Sequence, residues 1–376
     1  MTRSLVLLCA LWLVPAGLAQ TEPVSIPWHY GGFVDLGYLY DPNTPSNHLF
    51  RDRATTPVVD QPNIDMAALY VKKDASEASR WGMELTLQGG KDSEAFGFSA
   101  VAPNLPGSRW LRHIGLADVS YLAPVGSGLT IQGGIFASLI GYDGLYAKDN
   151  LSYTRPWGAD NTPYLMMGVN ASYGFTKKLT ATFAVVNDYA HLADPNHVPS
   201  VAAQAAYKPN DRVTVKQTVL YGPHQSDTAP AYWRFLSDTI VERKTAHVTT
   251  AFEYQVGEER VALTRSERAL WMSAQLPLHW AIRGPWSFTL RPEFCWDRDG
   301  RWTGSPQLVT AITSTLEYRV PYRWTNTIVR VEHRYDHATG RGGGFFQDDS
   351  AVLTPGQNLL AIGLIFTLDS PTQRQP

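Results

Sequence analysis

Hydrophobic and polar side chains alternate along many stretches of this chain. In residues 81–90, WGMELTLQGG, every second side chain from Trp81 to Leu87 is apolar, and the residues between them are small or polar. A period of two predicts a β-strand with two unlike faces. In a soluble sandwich the apolar face packs on a protein core, whereas in an outer-membrane barrel it meets lipid and the polar face lines the interior. One strand does not separate these alternatives.

The same alternation recurs often enough to predict a closed antiparallel transmembrane β-barrel of sixteen strands. Most segments are close to the roughly 9–11 residues that a tilted membrane strand needs, and longer than the roughly 5–6 residues typical of soluble strands. The predicted strands are 28–40, 62–71, 81–90, 112–121, 129–140, 163–173, 179–189, 200–207, 212–221, 232–241, 247–256, 269–280, 285–296, 307–319, 325–335 and 358–368.

The predicted connections alternate between long and short. Long connections fall at 41–61, 91–111, 141–162 and 336–357, and short ones at 72–80, 122–128, 174–178 and 208–211. Short turns at one end and long loops at the other are typical of bacterial outer-membrane barrels, with the turns on the periplasmic side. Tyrosine and tryptophan residues cluster near the predicted strand ends, which favours aromatic girdles over a general enrichment of aromatics in strands.

The beginning of the chain suggests export. Arg3 is followed by an apolar stretch at residues 5–14, which is too short to cross a bilayer as a helix, and Gly17 and Ala19 occupy small-residue positions. We therefore predict a cleaved signal peptide at residues 1–19 and one barrel domain at 20–376, located in the bacterial outer membrane. A net charge of −2 with no concentrated basic region gives no reason to expect a nucleic-acid partner.

Charged residues recur on the polar faces of the predicted strands. In a barrel they would point inward, where opposed charges create a field that sorts ions and orients polar solutes. The alternative is that they are solvated interior residues forming ordinary cross-strand pairs. The candidate pore-lining residues are Asp35, Asp65, Glu84, Lys216, Glu253, Arg291, Glu293, Arg330, Glu332 and Arg334.

Several segments, taken in order, resemble a known family. They are GGFVDLGYLYDPNTPSN, PNIDMAALYVKK, GLTIQGGIFASLIGYDGLYAKDNLSYTRP, YLMMGVNASYGFTKKLTATFAVVND, LEYRVPYRWTNTIVRVEHRYDH and NLLAIGLIFTL. Together they are similar to the OmpL-like β-barrel porin-2 family of outer-membrane porins. The resemblance implies an outer-membrane barrel that passes small solutes, and it brings no catalytic residues.

The connection 141–162 is the third long one and follows the fifth strand. In trimeric porins the third external loop folds into the channel as a constriction, so by analogy this segment is the candidate constriction. The alternative is an external loop that never enters the barrel. Its charged candidates are Asp143, Lys148, Asp149, Arg155 and Asp160.

The function predicted from the sequence is a non-enzymatic porin, with a water-filled channel for passive diffusion of small hydrophilic solutes or ions. Its partners would be outer-membrane lipid and these solutes, and the sequence leaves a homo-oligomer open. We predict no catalytic residue, metal site or cofactor, since no nucleophile elbow or P-loop motif occurs. Two alternatives stay open, an outer-membrane barrel hydrolase and a structural or adhesive barrel with a blocked lumen.

Overall fold

A computed structural model describes residues 28–95, 108–193, 196–223, 232–261, 267–322, 325–349 and 351–370. The predicted signal peptide lies outside these residues. The strands are β1 (Trp28–Tyr40), β2 (Pro62–Lys73), β3 (Trp81–Gly89), β4 (Ile114–Ala123), β5 (Leu129–Ala137), β6 (Leu165–Gly174), β7 (Leu179–Val186), β8 (Ser200–Asn210), β9 (Val213–Pro223), β10 (Trp233–Lys244), β11 (Val248–Arg260), β12 (Arg268–Gln275), β13 (Leu278–Arg283), β14 (Trp286–Asp297), β15 (Gln307–Tyr322), β16 (Thr325–Thr339), β17 (Phe345–Gln347), β18 (Val352–Thr354) and β19 (Gly356–Asp369).

The main sheet is antiparallel and closes on itself. Sequential neighbours pair along the sheet, and β1 pairs with both β2 and β19. Segments β12 and β13 are one barrel strand interrupted at Leu276 and Pro277, because both segments pair with β11 and β14. Proline has no N–H to donate to the ladder, which accounts for the break. The barrel therefore has sixteen strands, as predicted, and β17 and β18 form a separate hairpin.

Long and short connections alternate around the barrel, also as predicted. Long connections join β1 to β2, β3 to β4 and β5 to β6 at one end, and the short turns at residues 74–80, 124–128 and 175–178 lie at the other. We call these the long-loop end and the short-turn end. In the described part of the long loops there are four short 3₁₀ helices, Lys91–Ala95, Ser108–His113, Ala147–Asp149 and Ala159–Asn161. No helix in the described ranges combines the length and apolarity needed to cross a membrane.

The apolar faces of the strands point out of the barrel. Leu87 and Val331 are 54% and 51% exposed, whereas Arg330 and Glu332, on either side of Val331, are buried inside. This arrangement inverts the usual soluble fold, and lipid is the environment in which such an outer surface is stable. Tyr40 and Tyr221 are among the exposed aromatic residues at strand ends, where the girdles were predicted.

Two predicted strands end earlier than expected, at Ala137 and at Val186. The chain leaves the ladder at both places because the next apolar side chains turn into the barrel. Ile140 and Tyr189 pack there with Leu236 in a buried apolar cluster at the long-loop end. The free energy gained by burying these side chains offsets the loss of the strand hydrogen bonds that the pattern predicted at these positions.

Candidate functional site

The long loop at residues 138–164 lies inside the barrel. Its backbone N–H groups donate to carboxylates that project inward from the strands, since Tyr142 N lies 2.9 Å from Glu253 Oε1 and Trp157 N lies 2.6 Å from Glu293 Oε2. The Trp157 indole Nε1 also donates to Asp336 Oδ1 at 2.8 Å. These bonds attach the loop to β11, β14 and β16. The loop leaves β5 and returns to β6, which lie across the barrel from β14, so it crosses the interior.

Arg330 of β16 holds the middle of the loop. Its guanidinium donates to the carbonyl oxygens of Ala147 and Asn150, both at 2.6 Å, and of Ser152 at 3.1 Å. Its Nε donates to Glu317 Oε2 at 2.7 Å, and the side chain is fully buried. A planar guanidinium with five donors can satisfy several carbonyls at once, and buried carbonyls of a loop need such partners.

Glu332 lies two residues further along the same face and accepts hydrogen bonds from the loop, whereas Arg330 donates them. Its carboxylate accepts from the backbone N–H groups of Tyr153 at 2.6 Å and Thr154 at 3.0 Å. It also accepts from the hydroxyl of Thr315 on β15 at 2.7 Å. The alternation of arginine and glutamate along β16 thus matches the alternation of acceptors and donors on the loop backbone.

Two more arginines complete this arrangement. Arg291 Nη1 donates to the carbonyl oxygen of Thr154 at 2.8 Å, and Arg334 Nη1 donates to that of Arg155 at 3.0 Å. Arg334 Nη2 also lies 3.0 Å from Glu293 Oε1 and 2.8 Å from Asp336 Oδ1. Each charge therefore has an ionic partner as well as a loop contact, which is what buried charges require.

Tyr153 anchors the loop to the first two strands. Its hydroxyl oxygen lies 3.0 Å from Asp35 Oδ1 and 2.5 Å from Asp65 Oδ2, and the side chain is fully buried. One hydroxyl has one proton to donate, while ionised carboxylates only accept. With both carboxyl groups ionised, the two contacts share the single hydroxyl proton. The structure thus places one hydroxyl group between two buried carboxyl groups of neighbouring strands.

The charged residues of the loop divide into two sets. Arg155 Nη2 forms a buried ion pair with Asp92 at 2.9 Å, and Asp160 pairs with Arg53 at 3.0 Å, so both join the loop to neighbouring long loops. Burial lowers the pKa of Arg155, but Asp92 together with Tyr164, Asp35 and Tyr153 outweighs that effect and raises the pKa above its ordinary value. Arg155 is fully buried, whereas Asp160 also borders the cavity of about 510 Å³ at the long-loop end.

Asp143, Lys148 and Asp149 form the second set. Lys148 Nζ and Asp149 Oδ1 are 2.8 Å apart, and the Asp149 side chain is 58% exposed. Asp143 accepts a hydrogen bond from Gln275 Nε2 at 2.7 Å. Desolvation by burial raises the pKa of Asp143 above its ordinary value. Asp143 and Asp149 border a cavity of about 430 Å³, together with Lys216 and Glu242 of the wall.

All ten candidate pore-lining residues point into the barrel, but they differ in how exposed their side chains are. Glu84 and Lys216 are partly exposed, and the other eight are buried. The buried residues are Asp35, Asp65, Glu253, Arg291, Glu293, Arg330, Glu332 and Arg334. Whether any of the ten borders the path of a solute stays a prediction.

Sequence reasoning missed several inward carboxylates, among them Asp238 and Glu317. Glu317 lies on the same face as Thr313 and Thr315, so the alternation along β15 could have found it. Asp238, which accepts from Gly141 N at 2.9 Å, lies between Leu236 and Ile240. Those two apolar side chains also point inward, so no alternation marks Asp238 as an interior residue.

Two parts of the interior surface differ in their relation to the loop. We call the inward faces of β14, β15 and β16, with Asp35 and Asp65, the loop-binding wall. We call the inward faces of β5 to β9 the open wall, because Gln132, Ser172 and Thr182 among its residues are partly exposed. Its polar side chains bond to one another, as in Asn170 Nδ2 to Gln132 Oε1 at 3.0 Å.

Open space occurs on both sides of the loop. At the short-turn end a cavity of about 670 Å³ is bordered by Asn150, Leu151 and His279. The same three residues border the cavity next to Lys216, so the two spaces adjoin. At the long-loop end a cavity of about 510 Å³ is bordered by Arg53 and Trp302, among others. Within the described ranges, no three His, Cys, Asp or Glu side chains form a group suited to a metal ion.

Comparison with known families identifies the chain. The family model described as "Putative beta-barrel porin-2, OmpL-like" matches residues 27–368. The chain belongs to this family. The family match covers every strand of the barrel and the loop inside it. No curated protein matches the sequence of this porin-2 family member.

Solved structures of outer-membrane porins share the fold of this porin-2 family member. OmpF of Salmonella typhi, in complex with daunomycin, has a TM-score of 0.59 at 14% identity, covering 91% of this chain and 97% of that one. An anion-selective porin from Comamonas acidovorans has a TM-score of 0.55 at 9% identity, covering 91% and 99%. The trimer form of OmpT from Vibrio cholerae has a TM-score of 0.54 at 9% identity, covering 90% and 98%.

Proposed function

We propose that this porin-2 family member is an outer-membrane porin that passes small hydrophilic solutes or ions by passive diffusion. The observation that carries the proposal is the inverted barrel, whose charged and polar side chains face inward around a loop that leaves cavities on both sides. A sixteen-stranded barrel is too wide for side chains alone to fill. The family match to porins supports the same function.

In this proposal the loop at 138–164 is the constriction. Asp143, Lys148 and Asp149 are its charged groups nearest to open space, and Glu84 and Lys216 are the partly exposed charges of the wall. Arg155 and Asp160 instead fix the loop in position through their buried ion pairs. The eight buried charges keep the loop folded against the wall and so set the width of the remaining passage.

We also propose that the protein lies in the bacterial outer membrane, with the signal peptide at 1–19 removed and the short turns facing the periplasm. The apolar outer surface would contact lipid or a second copy of the chain. The trimer form of a structurally similar porin supports a homo-oligomer. Chemical crosslinking of the protein in native outer membranes tests this part of the proposal.

Conductance in planar bilayers tests the main claim. The protein would be purified in detergent after removal of the signal peptide and inserted at low concentration. We expect stepwise current increases of uniform size that grow linearly with voltage, and the same protein unfolded by heating in detergent serves as the control. Folded protein that inserts without any current step would instead support a barrel with a blocked lumen.

A further inference from the structure

The two walls differ sharply in charge. The strands of the open wall, β5 to β9, contain two charged residues, Lys208 and Lys216, and Lys208 is an exposed residue near a short turn. The three strands β14 to β16 contain nine Asp, Glu, Lys or Arg residues. Both regions come from the same barrel and alternate in the same way, so the difference reflects the residues chosen for their inward faces.

The inward face of the open wall consists largely of hydroxyl and amide groups. Strand register places Ser172 opposite Thr182, Thr182 opposite Gln204, and Gln204 opposite Thr218, which gives a continuous row across four strands. Gln204 Nε2 donates to Thr218 Oγ1 at 2.9 Å, and Thr182 Oγ1 donates to Ser172 Oγ at 3.0 Å. The partly exposed hydroxyl groups of Ser172 and Thr182 can exchange their partners for a polar group of a solute, whereas Gln204 and Thr218 also donate to the carbonyl oxygen of Leu139 in the loop, at 2.7 and 3.0 Å.

This row faces the free part of the interior. Ser172, Thr182 and Gln204 are partly exposed, whereas Thr218 at the end of the row is fully buried. The charged residues of the loop-binding wall are buried under the loop. The buried apolar cluster that contains Phe136 and Leu220 lies nearer the long-loop end of the same strands. A solute that passes the loop therefore meets the hydroxyl and amide row on the short-turn side of that cluster.

The few charges near this passage oppose one another. Asp143, Asp149 and Glu242 border the same cavity as Lys216 and Lys244. Asp149 is paired with Lys148, so the group has little net charge. A permeating ion loses part of its hydration in a narrow passage and needs fixed charges or dipoles in return. A neutral solute rich in hydroxyl groups exchanges hydrogen bonds to water for hydrogen bonds to the wall at little cost.

We propose that the passage selects uncharged, polyhydroxylated solutes of monosaccharide size over ions of the same size. This inference rests on the proposed porin function and adds the chemical class of the solute. Selection arises because the open wall offers hydrogen-bonding groups and little net charge, while eight of the ten charged candidates on the wall are covered by the loop and the charges beside the passage oppose one another.

Uptake into proteoliposomes tests the inference. Labelled glucose, gluconate and glucosamine have similar size and carry no charge, a negative charge and a positive charge respectively. All three would be measured in the same potassium chloride buffer, in which chloride and potassium compensate the moved charge. We expect glucose to enter several-fold faster than either ion. Faster or equal entry of gluconate or glucosamine overturns the inference, whereas no entry of any solute contradicts the porin function itself.

A charge placed on the row sharpens the test. In Thr182→Asp we expect glucosamine entry to rise and gluconate entry to fall severalfold, and the matched control Thr182→Asn should leave the order of the three solutes unchanged. Ser172→Asp with Ser172→Asn provides a second pair in case the first variant does not fold. If neither aspartate variant that folds changes the order of the solutes, the open wall does not border the passage and the inference is wrong.

Discussion

The loop-binding wall and the open wall arise from the same alternation of side chains, yet they differ in the exposure and the bonding partners of their inward side chains. On the first, Arg330 and Glu332 are buried and bond to loop backbone. On the second, Gln132 and Thr182 stay partly exposed and bond to side chains of neighbouring strands. An inward charge therefore does not by itself mark a surface that is open to the interior space.

The physical reason is the cost of unpaired backbone groups. A loop inside a barrel exposes N–H and C=O groups away from bulk water, and each must find a partner. Arginine and glutamate supply several donors or acceptors from one position and bond more strongly than neutral groups. A wall that must fix a loop is therefore charged, and a wall that faces water need not be.

Removal of Arg330 gives the largest expected effect on stability and conductance, because this one side chain donates hydrogen bonds to three carbonyl oxygens of the loop. In Arg330→Ala we expect the free energy of unfolding to fall by about 3–5 kcal/mol and the single-channel current to become larger and noisier as the loop detaches. Urea unfolding in detergent and planar-bilayer recordings measure the two effects. The exposed Arg212, in the turn between β8 and β9, provides the matched control Arg212→Ala. Unchanged conductance with an unchanged urea midpoint would show that the loop does not depend on this contact.

Removal of the Tyr153 hydroxyl tests the contact with β1 and β2. Tyr153→Phe leaves Asp35 and Asp65 buried without their shared donor, so we expect a loss of about 1–3 kcal/mol in the free energy of unfolding. The control is Tyr146→Phe, since Tyr146 makes one hydroxyl bond, to Gln88, and is only partly buried. Equal losses in the two variants would mean that the shared proton has no special weight.

Acidification tests the charge balance of the cavity between the walls. Because burial raises the pKa of Asp143, its carboxyl group takes up a proton at a higher pH than an ordinary aspartate, and the cavity loses one negative charge. Because the pKa of Asp143 is higher in the folded state than in the unfolded state, ionised Asp143 lowers the free energy of unfolding at a pH above its unfolded-state pKa. This destabilisation disappears as the pH falls. We expect the cation-to-anion permeability ratio, from reversal potentials in a salt gradient, to fall on mild acidification. Asp143→Asn should show the low ratio already at neutral pH and little further change.

All sixteen strands could be predicted from the sequence, because each strand has an apolar face toward lipid. The period of two is therefore visible in each strand, regardless of what contacts its inner face. It also placed Arg330, Glu332 and Arg334 inside. It did not show that the loop covers them, since their partners are backbone carbonyl and N–H groups, which carry no side-chain pattern. The inward turn at Ile140 depends on packing between distant segments, and alternation within one strand does not record it.

The smallest effect is expected on the open wall, and it decides whether the two walls differ as described. Thr182→Val removes one hydroxyl and its 3.0 Å bond to Ser172, but both groups are partly exposed and water can replace the lost partner. The free energy of unfolding should change by less than about 0.5 kcal/mol, as for most exposed substitutions, and the single-channel current should keep its size and noise. A loss of stability close to that of Arg330→Ala would mean that Thr182 makes contacts like those of the loop-binding wall. Removing a hydrogen-bond partner is costly only when the group left behind cannot bond to water instead.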